Sequence, residues 1–382
     1  MKTTKLNHIV ELDGIRGLAV LLVIIFHFLN QPILSNNSFD HFFKELFAIG
    51  WVGVDLFFVL SGFLITRILL NTKSGSNYFI SFYYKRTLRI FPLYYLYLIL
   101  IFFIIYPILF NRVSEFEQSK MLLTEQSQAW FWLYLSNIKQ VMDGTFFGGG
   151  LGHLWSLSIE EQFYILWPCI VYFSSIRSLK MISWTLIAAA LLLRIYLGLS
   201  EVDPEVIYVF TLTRMDALIM GALVAVFISE HEEINYHIVK KILLGLALST
   251  ISLIYVFGPS SGKHLLVYTI GYTLTAMTFS MLILLTQSSN TFILRPIFRS
   301  SFLVFFGKYS YAIYIFHPLV RQFMLKIVGE PKVIFGLQTF WSIGFIILNI
   351  SITVVVALIS WNLFEKWFLK FKDKIIISNS GK

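Results

Sequence analysis

Three ionisable residues lie in an apolar stretch near the N-terminus that is long enough to enter a bilayer: Asp13, Arg16 and His27. In a helix, the offset of eleven residues returns Arg16 and His27 to nearly one face, roughly 16 Å apart along the axis. A guanidinium can bind an anion, and an imidazole can act as a general base toward a hydroxyl. The stretch therefore predicts either a catalytic surface, with His27 near mid-membrane, or a simple Asp13–Arg16 salt bridge beside a packed histidine.

A second candidate is the basic group Lys85, Arg86 and Arg89, at the start of a later apolar segment. Arg86 and Arg89 are one helical turn apart, and two arginines on one face suit phosphate groups through bidentate contacts. The tendency of basic residues to stay on the cytoplasmic side explains the same pattern equally well. Spacing alone leaves both interpretations open.

The remaining candidates are polar residues in otherwise apolar segments. Between residues 152 and 164 there are too many polar groups for a lipid-facing helix, which favours a cavity for a hydroxylated acceptor over a structural polar network. An unpaired carboxylate, a small hydroxyl residue and a histidine before a proline lie in other segments. The predicted acceptor or cavity residues are Asp55, Ser61, His153, Glu160, Glu161 and His317. For Asp55, pairing with a neighbouring arginine is an equal alternative. For His317, a structural role is an equal alternative.

Arg214 and Asp216 stand in one further apolar segment, too close in sequence to face each other. We expect each of them to pair with a residue on another helix. Gly53, Ser61 and Gly62 are small residues that permit close helix approach. These features favour packing over chemistry.

The elements that must hold these residues are membrane helices. The chain is 57% hydrophobic and 13% charged, with a mean hydropathy of +0.75, whereas a soluble domain carries about a quarter charged residues. We predict an all-α polytopic membrane protein. Its ten expected spans are 9–29, 49–70, 88–110, 153–175, 181–198, 207–229, 242–257, 264–286, 302–325 and 337–362.

Lys and Arg residues set the expected orientation. With ten spans both termini lie on one side, and that side holds more than twice as many basic residues as the other, so both termini are predicted to be cytoplasmic. The net charge of +9 is then mostly topology and does not indicate nucleic-acid binding. We expect one membrane domain over residues 8–362 and a short basic tail over 363–382. The sequence has one cysteine, and it contains no nucleotide-binding loop, metal-ligand spacing or Gly-x-Ser-x-Gly motif.

The order of these short motifs resembles the acyltransferase-3 family, integral-membrane O-acyltransferases of bacterial surface polysaccharides and other hydroxylated molecules. The resembling blocks are Asp13-Gly-Ile-Arg16 ahead of His27, residues 53–64, Arg86 with Arg89, residues 155–163, Arg214 with Asp216, and residues 309–317. The chain is similar to the free-standing members, which have no appended esterase-like domain. The resemblance implies an acyl-coenzyme A donor from the cytoplasm, an acceptor hydroxyl at the outer face, and no tightly bound cofactor.

The resemblance also implies that Arg16 and His27 are essential and that Arg86 and Arg89 lie near the donor. We therefore expect an enzyme of the bacterial cytoplasmic membrane with acyl-CoA, in the form of acetyl-CoA, as co-substrate. We expect Lys85 to assist, Asp13 to orient Arg16, and His27 to act as general base or transient acyl carrier. A proton-coupled transporter or flippase using His27, Asp55 and Glu160 is the alternative. A third is a glycosyltransferase with a lipid-linked sugar and an aspartate base.

Overall fold

The computed structural model describes residues 8–231, 233–257, 264–287 and 294–371. Over those ranges the chain is helical and contains no β-strand beyond one isolated bridge between Ile334 and Leu337. The first helices are α1 (Val10–Leu29), α2 (Ser38–Ala48), α3 (Val52–Thr72) and α4 (Tyr78–Ile99). Short helices follow: α5 (Tyr106–Leu109), α6 (Glu115–Gln126), α7 (Gln128–Trp132) and α8 (Ser136–Asp143).

The second half of the bundle begins with α9 (Trp155–Phe173), α10 (Ile176–Leu199), α11 (Pro204–Val209) and α12 (Thr211–Glu230). It continues with α13 (Tyr236–Phe257), α14 (Tyr272–Leu285), α15 (Arg295–Phe298), α16 (Ser301–Val328) and α17 (Gln338–Ser360). Each predicted span overlaps one of the long helices, which confirms an all-α membrane protein. The helix of α17 continues to Phe371, into the predicted tail, and residues 372–382 of that tail lie outside the described residues.

Eight helical stretches of the described chain are long and apolar enough to cross a membrane. They are Val10–Leu29, Ser38–Thr72, Tyr78–Arg112, Ile176–Leu199, Thr211–Glu230, Tyr236–Phe257, Val267–Leu285 and Gln338–Phe371. Helices α9 and α16, which correspond to two of the ten predicted spans, fall outside this set and carry many of the polar residues described below. Ten spans with cytoplasmic termini therefore stay a prediction.

Glycines bring α1 and α16 into backbone contact. A Cβ on Gly17 would overlap the carbonyl oxygen of Leu303, and a Cβ on Gly307 would overlap that of Asp13. Only a residue without a side chain fits at such a crossing, as in other close helix pairs of membrane proteins. The two helices are therefore held in a fixed register.

Glycines also bring α3 and α12 into backbone contact. A Cβ on Gly62 would overlap the carbonyl oxygen of Leu218, and one on Gly221 would overlap that of Val59. The packing role predicted for Gly62 is confirmed. This second crossing fixes the position of α3, which lies between α1 and α9 in the site described below.

Two buried ion pairs tie α12 to its neighbours. Arg214 donates from Nη2 to Asp55 Oδ1 on α3 at 2.8 Å, and Arg194 on α10 donates from Nη2 to Asp216 Oδ2 at 2.7 Å. All four side chains are at most 2% exposed. The expectation that Arg214 and Asp216 pair with different helices is confirmed. Asp55 follows its structural alternative, pairing with an arginine.

Candidate functional site

A cavity of about 310 Å³ lies between α1, α3, α4, α9 and α16. One part of its wall is strongly basic, and the opposite part is built from hydroxyl groups and aromatic rings. The polar and basic residues that line it are Arg16, Ser61, Thr72, Tyr78, Ser81, Lys85, Arg86, Arg89, Ser156, Glu160, Tyr164, Ser310, Tyr311 and Tyr314. The sequence predicted six of these: Arg16, Ser61, Lys85, Arg86, Arg89 and Glu160.

The basic wall carries charge that nearby carboxylates offset only in part, because Glu160 and Glu365 act on Arg86 and Arg89 without forming an ion pair with them. Within the residues that the structure describes, Lys85, Arg86 and Arg89 form no ion pair, although Arg86 stacks 5.3 Å from the ring centre of Tyr164. Arg16 donates from Nη1 to Asp13 Oδ1 at 3.1 Å. Asp13 thus holds Arg16 from outside the cavity lining, as expected for an orienting residue. An anionic ligand would supply the missing counter-charge.

The two neighbouring glutamates of α9 have different surroundings. Glu160 lines the cavity and accepts a hydrogen bond from the Tyr164 hydroxyl at 3.1 Å, and that hydroxyl also contacts Ser61. Glu161 is only 6% exposed, points away from the cavity lining, and its Oε1 has no hydrogen-bond partner. Glu160 is therefore the carboxylate available to a ligand in the cavity. The cavity role predicted for Glu161 is not supported, because successive residues of a helix face different directions.

Two hydroxyl groups close the cavity at the end nearest to the first turn of α9. Ser156 Oγ and the Tyr314 hydroxyl lie 2.6 Å apart, and Tyr314 also donates to the carbonyl oxygen of His153 at 3.1 Å. Tyr311, one turn earlier on α16, donates its hydroxyl to the carbonyl oxygen of Ile90 at 2.7 Å. These contacts fix the tyrosine rings that separate the cavity from the next group of residues.

Three imidazoles gather just beyond this wall: His27, His153 and His317, which we call the histidine cluster. His317 Nε2 lies 3.1 Å from His27 Nδ1, and the ring centres of His153 and His317 are 5.4 Å apart. His317 is fully buried, and His27 is partly exposed. Both ring nitrogens of His153 are buried without a hydrogen-bond partner. A buried imidazole without any partner is uncommon and marks a place where a ligand group or water can bind.

This arrangement bears on the predicted placements of four residues, His27, His153, His317 and Asp55. His27 lies in the last turn of α1, which ends at Leu29 as the predicted span of 9–29 does, and its depth near mid-membrane stays a prediction. His153 and His317 lie beside His27 and outside the cavity lining, since Tyr314 and Ser156 stand between. Asp55 also lies outside the lining because its carboxylate faces α12, where Arg214 binds it.

Sequence reasoning missed the tyrosines of the site, namely Tyr164, Tyr311 and Tyr314. A usable signal was present, because Tyr311, Tyr314 and His317 (already a candidate) recur every three residues on one helix. The abundance of aromatic residues in the chain hid this pattern. In the described ranges, no group of three or more His, Cys, Asp or Glu side chains is arranged to hold a metal ion.

Comparison with known proteins adds a family and several relatives. A family model described as an acyltransferase domain matches residues 9–361. The peptidoglycan O-acetyltransferase OatA of Listeria monocytogenes is 28% identical, over 98% of this chain and 59% of that protein. The O-acetyltransferase OatA of Staphylococcus aureus strain NCTC 8325 is 26% identical, over 93% of this chain and 56% of its own length. The chain thus spans less than two thirds of these relatives, and no solved structure matches it.

Proposed function

Since the chain belongs to the acyltransferase-3 family, we propose that it transfers an acyl group from cytoplasmic acyl-CoA to a hydroxyl of a cell-envelope glycan. The similarity to O-acetyltransferases favours an acetyl group, and the peptidoglycan O-acetyltransferase of Listeria monocytogenes favours a glycan such as peptidoglycan as acceptor. The observation that carries the proposal is a cationic cavity that ends against the histidine cluster. We place the protein in the bacterial cytoplasmic membrane, where both substrates can reach it.

The donor would bind by its phosphates. Coenzyme A carries several phosphate charges, and Lys85, Arg86 and Arg89 face the cavity without a carboxylate partner. The planar guanidinium group of arginine can donate two parallel hydrogen bonds to a phosphate, and a site with little water strengthens the attraction between the two charges. The uncharged pantetheine arm would then lie along the apolar wall formed by Phe57 and Leu60, with its thioester directed toward Ser156 and Tyr314.

His27 would supply the proton chemistry. Its Nε2 takes the proton of the acceptor hydroxyl while the oxygen attacks the thioester carbonyl, and the carbon–sulfur bond then breaks. The proton passes from His27 to the departing thiolate, so coenzyme A leaves as the thiol and the ester remains on the acceptor. In the alternative, His27 Nε2 itself attacks the thioester and takes the acyl group as the thiolate leaves; the acceptor oxygen then attacks the acyl carbon, the nitrogen–carbon bond breaks, and the hydroxyl proton goes to the thiolate. Either mechanism requires that the side chain of Tyr314 or Ser156 moves aside, or that the thioester reaches His27 by passing between these two side chains and the rest of the cavity wall.

The acceptor would approach the histidine cluster from the outer side. His27 is partly exposed at the end of α1, and His153 offers two unpartnered ring nitrogens beside it. A sugar hydroxyl can both donate and accept, which suits a neutral imidazole. The transporter alternative loses one member of its relay, because Asp55 is held in the ion pair with Arg214.

The test uses purified protein in proteoliposomes with radiolabelled acetyl-CoA and a peptidoglycan or glycan fragment. We expect acceptor-dependent thioester cleavage and labelled ester, and loss of both in His27→Ala. His41→Ala is the matched control, because His41 is exposed on α2 and has no described contact with the histidine cluster. A His27→Ala protein that folds and still acylates at the wild-type rate would refute the role of His27, and transport without thioester cleavage would refute the activity.

A further inference from the structure

The contact between His27 and His317 determines which nitrogen of His27 can act as a base. His317 Nδ1 lies 2.7 Å from the carbonyl oxygen of Tyr314. A carbonyl oxygen only accepts hydrogen bonds, so His317 Nδ1 must carry the proton. The other ring nitrogen of His317, Nε2, is then the acceptor in the neutral ring.

The neutral form of His317 follows from its surroundings. The side chain is fully buried, and its described neighbours are Tyr314, Phe28 and two other imidazoles, with no carboxylate in contact. Burying a charged imidazole without a counter-charge is costly. A neutral His317 therefore presents an unprotonated Nε2 to His27.

His27 must be the hydrogen-bond donor in its contact with His317. Its Nδ1 lies 3.1 Å from His317 Nε2, and a hydrogen bond across that distance needs one donor, so His27 Nδ1 carries the hydrogen. In neutral His27 this leaves Nε2 free of a proton, on a side chain that is partly exposed. The second nitrogen of a catalytic histidine commonly sets its tautomer in this way.

We propose that His317 is a positioning residue that fixes the Nδ1–H tautomer of His27 and so keeps His27 Nε2 available as the base. This inference rests on the proposed function for its catalytic consequence. When His27 takes the acceptor proton on Nε2, His317 Nε2 accepts the stronger hydrogen bond from the resulting imidazolium. Within the described chain, His317 is the side-chain hydrogen-bond partner of His27, and the carbonyl oxygen of Val23, one turn earlier on α1, is its backbone partner.

Two substitutions separate this role from simple packing. Gln can place its amide oxygen near the position of the histidine Nε2, whereas Asn reaches only the position of Nδ1. His317→Gln is therefore expected to keep an acceptor for His27, and His317→Asn to lose it. We expect His317→Asn to lower kcat on the order of 100-fold or more, at unchanged KM for acetyl-CoA. His317→Gln should recover most of this loss, and His41→Asn, an exposed control, should resemble the wild type.

The tautomer itself gives a readout that does not depend on activity. In protein labelled with ¹⁵N-histidine, proton–nitrogen couplings of the His27 ring, assigned by comparison with His27→Ala, should show Nδ1–H in the wild type and in His317→Gln. His317→Asn should lose that preference while keeping the wild-type elution volume and melting temperature.

Equal activity of His317→Asn and wild type, equal loss in the Asn and Gln variants, or a wild-type His27 protonated at Nε2 would each overturn the inference. A wild-type protein that cleaves no acyl-CoA would overturn the proposed function, and the coupling measurement would still decide the assignment of the proton.

Discussion

Replacing Asp55 by leucine is expected to destabilise the protein by about 3–5 kcal/mol. The substitution leaves the Arg214 guanidinium buried at 1% exposure without its carboxylate, and an unpaired buried charge accounts for most of that cost. Arg214 also lies 4.2 Å from the ring centre of Tyr272 and 4.8 Å from that of Tyr208. These cation–π contacts keep part of the stabilisation, so the lower end of the range is expected.

The double variant Asp55→Leu/Arg214→Met removes both charges. Replacing a complete buried ion pair by apolar residues is often neutral or stabilising, so the double variant should be more stable than either single variant. Melting temperatures of the detergent-purified proteins rank the four forms, and the non-additivity of the two changes reports the coupling. The pair Arg194 and Asp216, equally buried, serves as the comparison.

Acetyl transfer by the same variants separates structure from catalysis. If Asp55 only pairs with Arg214, the folded double variant should keep most of the wild-type kcat. A double variant that is stable but inactive would refute the structural assignment and return Asp55 to the candidate site. Additive melting shifts would refute the coupling.

Three further predictions follow from contacts already described. Gly62→Ala should fail to fold or melt far below the wild type, because its Cβ would overlap the backbone of α12, while the control Gly245→Ala, with open space around it, should melt like the wild type. Arg89→Gln should raise the KM for acetyl-CoA roughly 10-fold to 100-fold with a smaller effect on kcat, since a charge-assisted phosphate contact contributes about 1.5–3 kcal/mol; an unchanged KM would remove Arg89 from the donor site. Asp40→Ala should lower stability by about 1–3 kcal/mol, measured by melting temperature, because Asp40 accepts hydrogen bonds from the backbone N–H groups of Gln338 and Thr339 at the start of α17; no change in melting temperature would contradict this.

Much of the architecture could be predicted from the sequence, because apolar length alone reveals membrane helices. The pairing of Arg214 and Asp216 with different helices also followed from their spacing. The partner of Asp55 could not be predicted in this way. A carboxylate inside a span needs a partner, and the sequence does not say whether that partner is an arginine or a substrate. The end of the first span was predictable, since the predicted span of 9–29 and α1 both end at residue 29.

Many residues of the site could be predicted from the sequence, but not how they divide between the cavity and the histidine cluster. Arg16, Arg86 and Arg89 line one cavity, and Glu160, which was predicted on the acceptor side, lines the same cavity. Grouping of His27, His153 and His317 in a separate cluster depends on how α1, α9 and α16 cross, and contacts between distant helices leave no local pattern. Tyr311 and Tyr314 did leave a local pattern, which the abundance of aromatic residues in the chain hid.

The backbone contact between α1 and α16 limits how the protein can move during turnover. Arg16 and His27 stand on α1, and Tyr314 and His317 stand on α16, so the backbone contacts at Gly17 and Gly307 hold the basic end and the imidazole end of the site in a fixed register. A carrier that alternates between two faces needs such ends to rock against each other. Here the protein would act as a stationary passage, in which side-chain rotations admit the acyl group while the frame stays still.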